Sequence, residues 1–255
     1  MSTLQPADRL LFYVVVGDRI VRGAHRVPPV KATPVMVPPS AVFAVLPPWV
    51  DGLYKAAGVL AYSYDDMGQL VFLLADEARQ SHQSKGRDSF WNILGGKRER
   101  CDRFAEDTAV REFVEETAGV GVLLRDALIA SLASAECLKF WQAEGKYVLF
   151  VAPLPYVECF PALFAAATHL KPLTETCITR QLKWVPAAEL LHSCFPENFP
   201  PRGDPGSFYP FLLQTLRIDG ARKELERLPS AASATSWRMG PVNSQYAQAV
   251  SGAFL

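Results

Sequence analysis

Hydrophobic and polar positions alternate most clearly in the part of the chain that follows residue 55. Two apolar runs, 56–64 and 69–76, are rich in aliphatic and aromatic residues and are separated by Asp65-Asp66-Met67-Gly68. This pattern predicts a β-hairpin with a short turn. The polar stretch 77–89 predicts a loop, and residues 90–94 predict a further strand that runs into Gly95-Gly96.

The pattern becomes helical at Asp102. Asp102 is predicted to cap the helix, Glu106 and Asp107 place negative charge in its first turn, and Gly119 is suited to end it in a left-handed conformation. Beyond this helix, hydrophobic runs predict strands at 120–124, 134–141, 146–154 and 181–186. Further helices are predicted at Leu163–Leu170, directly after Pro186 and within 207–228.

Prolines separate the two ends of the chain from its middle. The sequence contains 20 Pro and 16 Gly, yet residues 49–152 contain no proline. Residues 1–50 carry a strand-like run, Leu10–Val16, and Pro-punctuated segments that predict short edge strands or extended cover rather than helices. Residues 229–255 are rich in small residues and predict a tail. We therefore predict an N-terminal Pro-rich extension (1–50), a domain (51–228) and a low-charge C-terminal tail (229–255).

Charge and composition exclude several classes of protein. The 26 basic residues equal the 26 acidic residues, and this balance argues against bulk binding to nucleic acids or acidic membranes. Prolines and Glu158 interrupt the longest apolar stretch, 147–170, so we expect no membrane-spanning helix. Five cysteines without C-x-x-C spacing indicate reduced thiols. We expect a soluble, cytoplasmic chain; basic residues near the N-terminus leave organelle import open.

The segment 95–120 carries the chemistry. Glu112, Glu115 and Glu116 are spaced i, i+3 and i+4, which places three carboxylates on one face of a helix. Their mutual repulsion must be offset by solvent or by a cation, and Mg²⁺ or Mn²⁺ suits such hard oxygen ligands. A solvated acidic face is the competing interpretation. The preceding Gly95-Gly96 lets the backbone approach a ligand closely, which favours a site for phosphate oxygens.

This arrangement resembles the signature of the Nudix hydrolase family. The family pattern is G, five residues, E, seven residues, then R-E-U-x-E-E-x-G-U, where U is a bulky apolar residue. Here the matching residues are Gly96, the run Arg111-Glu112-Phe113-Val114-Glu115-Glu116, and Gly119-Val120. The hairpin before the motif and the segment 182–191 are also similar to family members, so the resemblance covers about 55–220.

Two departures from the family pattern stand at the ends of the motif. Asp102 replaces the first Glu, and eight residues instead of seven separate it from Arg111. Thr117 and Ala118 occupy a place where the pattern has one residue before Gly119. The Arg-Glu-x-x-Glu-Glu set itself is intact.

The resemblance implies a fold, an activity and a set of site residues. The fold is α+β, an α/β/α sandwich with a mixed β-sheet flanked by helices. The activity is hydrolysis of a pyrophosphate bond in a nucleoside diphosphate linked to another moiety, with Mg²⁺ or Mn²⁺ as cofactor. The metal ligands implied are Glu112, Glu115, Glu116, the Gly96 carbonyl, and Asp102 or alternatively Glu99. Arg111 orients the loop and a glutamate, and Glu112 is either a ligand or the general base.

Substrate contacts are less well specified by the sequence. Arg79, Lys85 and Arg87 lie in the predicted loop before the motif and are candidates to bind phosphate, while Glu175 is a candidate late carboxylate; solvated charges are the competing interpretation. Marks of substrate subclasses within the family are missing; for example, Ala135 stands where the ADP-ribose type has Pro. We therefore expect a nucleotide-type small molecule of unspecified identity, and the oligomeric state stays open.

Two alternative functions remain open from the sequence. The altered spacing at both ends of the motif favours a catalytically weakened Nudix-like protein that binds a nucleotide or a partner and acts in regulation. A pyrophosphohydrolase acting on RNA 5′ ends would need a basic channel, which the neutral composition does not indicate. The intact Glu112, Glu115 and Glu116 favour the enzyme.

Overall fold

The computed structural model describes residues 15–16, 19–20, 40–80, 87–170, 179–196 and 208–228. The chain divides into two compact units, Met1–Pro38 and Pro39–Leu255. In the first unit, strands β1 (Val15–Val16) and β2 (Arg19–Ile20) pair antiparallel; the rest of the predicted run Leu10–Val16 lies outside the described residues. The domain boundaries predicted at residues 50 and 228 stay predictions.

One mixed sheet of eight strands forms the centre of the second unit. Its strands, in chain order, are β3 (Ser40–Phe43), β4 (Ala56–Tyr64), β5 (Leu70–Gln80), β6 (Arg87–Asn92), β7 (Leu94–Lys97), β8 (Leu138–Gln142), β9 (Tyr147–Pro153) and β10 (Thr179–Pro186). The order across the sheet is β10-β5-β4-β9-β8-β3, with β3 at an edge. The β4–β9 pair is parallel and the other pairs are antiparallel.

β4 and β5 separate beyond a short paired segment, and there the strand that carries the glycine pair, β7, pairs with β4. These two strands pair directly only over 61–64 and 70–73. Beyond that point β6 pairs with the second half of β5, while β7 pairs with the first half of β4 and sets Gly96 opposite Ala57. The Gly95-Gly96 backbone is therefore part of the sheet and is held in register on one side.

Helices cover both faces of this sheet. The first face carries α1 (Trp49–Leu53), α2 (Ala105–Glu116), α3 (Arg125–Leu132) and α4 (Phe160–Leu170), together with a 3₁₀ helix at Val120–Leu124. The second face carries α5 (Ala187–Cys194), α6 (Pro210–Leu216) and α7 (Ala221–Leu225).

Side chains alternate between the two faces along each central strand. On β4, Val59 and Ala61 belong to the core under α2, whereas Leu60 and Tyr62 belong to the opposite core. This period of two gives each helical layer its own hydrophobic core, because neighbouring strand residues point to opposite sides. The helix–sheet–helix layering confirms the predicted α/β/α sandwich.

The hairpin at 56–76, the strand at 146–154 and the helices after Pro186 and within 207–228 are confirmed. The helix predicted at Leu163–Leu170 starts earlier, at Phe160, and the strand predicted at 134–141 starts only at Leu138. The loop predicted over 77–89 is wrong at both ends, because β5 continues to Gln80 and β6 begins at Arg87; residues 81–86 lie outside the described residues. The polar composition of this segment led to the error, because strand residues at the outer end of the β5–β6 hairpin do not need an alternating apolar pattern.

Two further predictions are wrong near the ends of α2. Phe104, not Asp102, precedes the helix, and the Asp107 carboxylate accepts the backbone N–H groups of Arg103 and Phe104 just before it. The strand predicted at 120–124 is the 3₁₀ helix, in which Gly121 and Leu124, three residues apart, are both buried. The prediction that residues 1–50 contain no helix is also wrong at its end, because α1 begins at Trp49.

Within the described ranges, no helix has the length and hydropathy needed to cross a bilayer.

Candidate functional site

The helix α2 carries the motif and is fixed at both ends. Asp107 accepts hydrogen bonds from the backbone N–H groups of Arg103 (2.8 Å) and Phe104 (3.0 Å), which closes the first turn. At the other end, Ala118 (φ 54°) and Gly119 (φ 83°) are both left-handed, and the Gly119 N–H donates to the Val114 carbonyl at 2.9 Å. The additional residue before Gly119 is thus absorbed as a second left-handed residue after α2.

Arg111 lies at the centre of the site and uses all five of its N–H donors. Its Nε and Nη2 hold the two Asp102 carboxylate oxygens at 3.2 and 2.9 Å, and Nη2 also reaches the Lys97 carbonyl at 2.7 Å. Its Nη1 donates to Glu112 Oε1 and Glu115 Oε2, both at 2.9 Å. A guanidinium has five N–H donors, so every donor of Arg111 is engaged within the protein.

Asp102 anchors the loop between β7 and α2. Its side chain is only 4% exposed. Besides Arg111, it accepts the backbone N–H of Glu99 (2.8 Å) and the hydroxyl of Thr108 (2.8 Å). Burial opposes ionisation, but these hydrogen bonds outweigh it and hold the pKa of Asp102 well below its ordinary value. Asp102 is therefore a carboxylate that binds the loop to α2.

Glu112 lies against the glycine backbone of β7. A Cβ on Gly96 would overlap the Glu112 carboxylate, so the missing side chain of Gly96 makes room for it. The Glu112 side chain is 13% exposed. Burial raises the pKa of Glu112 above its ordinary value, although the neighbouring Arg111 opposes that rise.

Glu116 and Glu115 occupy different environments on the same helix. Glu116 is buried and accepts the Gly95 N–H at 2.7 Å, which joins the end of α2 to β7. The Glu115 side chain is 57% exposed and is tied to Arg111. The structure thus brings Glu112, Glu116 and the glycine pair together, with Glu115 on the solvent side of Arg111.

We tested whether these residues, as placed, fit a divalent cation. Carboxylate oxygens are suitable donors for Mg²⁺ or Mn²⁺. However, among the residues that the structure describes, no group of three or more His, Cys, Asp and Glu side chains is arranged to hold a metal ion. The carboxylates instead converge on Arg111 and on the Gly95 N–H, so the arrangement shown does not fit a metal ion.

Two of the predicted phosphate-binding residues lie on the β5–β6 strand pair. Arg79 and Arg87 occupy adjacent rungs of the β5–β6 pair, and their side chains are not described. Lys85 and Glu175 lie outside the described residues. Glu99, the alternative to Asp102, is largely exposed and lies 3.9 Å from Arg111.

Sequence reasoning missed Arg98, which also binds the loop between β7 and α2. Its guanidinium stacks on the Tyr54 ring at 4.3 Å and donates to the backbone carbonyls of Asp51 (2.7 Å) and Asp102 (3.3 Å). The Tyr54 hydroxyl in turn donates to the Phe104 carbonyl at 2.7 Å. The run Lys97-Arg98-Glu99-Arg100 offers no signal that distinguishes this arginine from its exposed neighbours.

A cavity of about 760 Å³ opens on the outward side of α2, towards α3. Its walls include the aliphatic side chains of Val110, Val114 and Ile129, and the Arg111–Glu115 ion pair also lines it. That ion pair is therefore accessible from solvent through this cavity.

No family model matches the chain. A match at 36% identity over 77 residues links it to "Uncharacterized protein L534" of Acanthamoeba polyphaga mimivirus, covering 30% of this chain and only 24% of that protein.

Two solved structures that match part of the chain are described as Nudix proteins. One is a Nudix hydrolase from M. smegmatis, RenU (TM-score 0.29, 19% identity, 64% of this chain and 81% of that chain). The other is a MutT/nudix family protein from Enterococcus faecalis (TM-score 0.27, 18% identity, 51% of this chain and 43% of that chain).

Proposed function

We propose that this chain is a Nudix-type pyrophosphohydrolase that uses Mg²⁺ or Mn²⁺ and acts on a nucleoside diphosphate linked to another moiety. The observation that carries the proposal is the placement of Glu112 and Glu116 against Gly95-Gly96, with Arg111 joining α2 to the loop. The Glu112 carboxylate fills the space that a side chain at Gly96 would take, so the glycine sets this carboxylate directly against the β7 backbone.

Each residue of the motif has a proposed role. Glu112, Glu115, Glu116 and the Gly96 carbonyl stay the predicted ligands of the cation, although the three carboxylates, as placed, bind Arg111 and the Gly95 N–H. Glu112 is also the candidate general base, since its raised pKa brings a carboxylate closer to the range in which proton abstraction is efficient. Asp102, predicted as an auxiliary ligand, is instead proposed to position Arg111, because its oxygens already accept hydrogen bonds from Arg111, the Thr108 hydroxyl and the Glu99 N–H. Arg79, Lys85, Arg87 and Glu175 stay predictions as substrate contacts.

The test is a hydrolysis screen with Mg²⁺ or Mn²⁺ over a panel of nucleotides that includes a 5′-triphosphorylated RNA. Glu116→Gln keeps a carbonyl oxygen for the Gly95 N–H but removes the charge, so we expect roughly a hundredfold loss of kcat. Glu158→Gln, an exposed site near α4, is the matched control and is expected to retain wild-type activity. Full activity of Glu116→Gln, or no turnover of any substrate, would contradict the proposal.

A second candidate function is regulation through nucleotide or partner binding without turnover. The engagement of Glu112 and Glu115 by Arg111 favours it, because both carboxylates are already hydrogen-bonded to a guanidinium within the protein. Nucleotide binding measured by calorimetry, with no hydrolysis in the same panel, would support this alternative.

A further inference from the structure

The cavity between α2 and α3, here called the α2–α3 groove, is surrounded by exposed apolar side chains. Of the five large hydrophobic side chains that are exposed in the described part of the chain, Val122 (59%) and Ile129 (44%) line this groove. A third, Phe104 (49%), directly precedes α2. Soluble proteins rarely expose a contiguous apolar patch bordered by charges unless a partner binds there. The groove is therefore a candidate interaction surface.

The charges that border the groove lie at its two ends. Glu106 and Asp107 belong to the first turn of α2, whereas Arg125 is the first residue of α3. Because the short segment 117–124 joins the end of α2 to α3, Arg125 lies towards the end of α2. An α-helix rises 1.5 Å per residue, so the 12 residues of α2 separate the two ends by roughly 15 Å. The groove thus has an acidic end and a basic end.

We propose that a second copy of this chain packs on the α2–α3 groove in a two-fold symmetric dimer. In an isologous interface the same surface of both copies meets in opposite directions. Arg125 at the basic end then pairs with the acidic end of the partner, and the reverse pair forms at the other end. Glu115, the remaining carboxylate of the α2 wall, already holds Arg111 at 2.9 Å.

The apolar side chains fit the same two-fold arrangement. Val110 and Val114 are half-buried in the wall of the groove, whereas Val122 and Ile129 are exposed beside them. Two-fold symmetry sets the exposed side chains of each copy against the recessed wall of the other, which buries both sets. A partner of a single charge sign would satisfy one end of the groove and oppose the other, but a second copy satisfies both ends.

The proposed interface borders the candidate site. The Arg111–Glu115 ion pair lines the groove, so the second copy would cover this pair in the dimer. The inference does not depend on the proposed hydrolytic activity, because it rests on the outer side of α2 and on α3. Hydrolysis by a monomeric chain would contradict only the dimer, and a dimer that turns over no nucleotide would contradict only the enzyme.

Analytical ultracentrifugation of the full chain tests the proposal over roughly 1–200 µM protein, the range in which a dimer of moderate affinity dissociates. We expect the wild-type chain to shift from monomer to dimer as its concentration rises. Ile129→Asp places a charge in the interface at two symmetric positions, so we expect its dimer dissociation constant to rise about a hundredfold. Met67→Asp, at an exposed position between β4 and β5, is the matched control and should dimerise as wild type.

A charge exchange tests the orientation of the two copies. Arg125→Glu sets like charges opposite each other at both ends, so it should weaken the dimer, and Glu106→Lys should do the same. A mixture of these two variants should form mixed dimers, because each end then pairs a carboxylate with a cation. Circular dichroism on each variant confirms that it is folded.

Three results would overturn the proposal. A wild-type chain that stays monomeric throughout leaves the groove to a different occupant. A dimer that persists unchanged in Ile129→Asp and Arg125→Glu uses another surface. Two charge variants that fail to associate when mixed contradict the two-fold orientation. If Ile129→Asp does not fold, the charge exchange decides alone.

Discussion

At the scale of single residues, the two adjacent glycines of β7 have different tasks. A Cβ on Gly95 would lie 2.5 Å from the Gly58 Cα and 2.8 Å from the Ala57 carbonyl oxygen, both backbone atoms of β4. A Cβ on Gly96 would instead meet the Glu112 carboxylate, the far end of a flexible side chain. The lack of a side chain at Gly95 therefore allows β7 to pair with β4, whereas its lack at Gly96 leaves space for the Glu112 carboxylate.

This difference predicts that the same substitution has different effects on stability and on activity at the two neighbouring positions. Gly95→Ala should lower the free energy of unfolding by about 3 kcal/mol, since backbone atoms cannot move aside cheaply. Gly96→Ala should lower it by only about 1 kcal/mol but should reduce the hydrolytic rate, because Glu112 is displaced. Urea denaturation and the hydrolysis assay on both variants test this. An equal loss in the free energy of unfolding of the two variants would show that the Glu112 side chain cannot move aside.

At the scale of elements, the C-terminal end of α2 is one of the two places where the motif departs from the Nudix pattern that it resembles, and two successive residues there have a left-handed backbone. Left-handed conformation is unfavourable for a residue with a Cβ, by about 1–2 kcal/mol. Ala118 bears that cost, and it also packs partly against the core under α2. Gly119 avoids the cost because it has no side chain.

Gly119→Ala tests this turn directly. Its Cβ would meet nothing within 4 Å, so any destabilisation comes from the backbone conformation alone. We expect a loss of about 1 kcal/mol in the free energy of unfolding. Gly52→Ala is the matched control, because its Cβ is also in open space but lies in α1 with no left-handed φ; it should be neutral or slightly stabilising. Equal changes in the free energy of unfolding would contradict this prediction, because they would mean that the turn after α2 adopts another conformation without cost.

The same region shows what the sequence can and cannot predict. Helical spacing predicted the common face of Glu112, Glu115 and Glu116, and alternation predicted β4, β5 and β9, because these features depend on local periodicity. The engagement of every Arg111 donor was not predictable, since it requires Asp102 to be turned back towards α2 by Thr108 and the Glu99 N–H. The 3₁₀ helix after Gly119 was missed because its apolar residues also suit a strand.

At the scale of the whole molecule, each face of the sheet has a core with a cysteine in it. Cys137 lies in the core under α2 and Cys194 in the opposite core, and both are nearly fully buried. Burial raises the pKa of both thiols to about 12, so at pH 8 they are protonated as well as inaccessible in the folded state. Cys101 and Cys159 are exposed.

These thiols report whether the two helical layers unfold together. The central strands contribute side chains to both cores, so loss of either core should expose the other, and unfolding should be a single transition. We expect iodoacetamide to label Cys101 and Cys159 without denaturant, and Cys137 and Cys194 to become labelled at the same urea concentration, as read by peptide mass spectrometry. Labelling of Cys194 at clearly lower urea than Cys137 would show that the α5–α7 layer opens independently of the layer that holds α2.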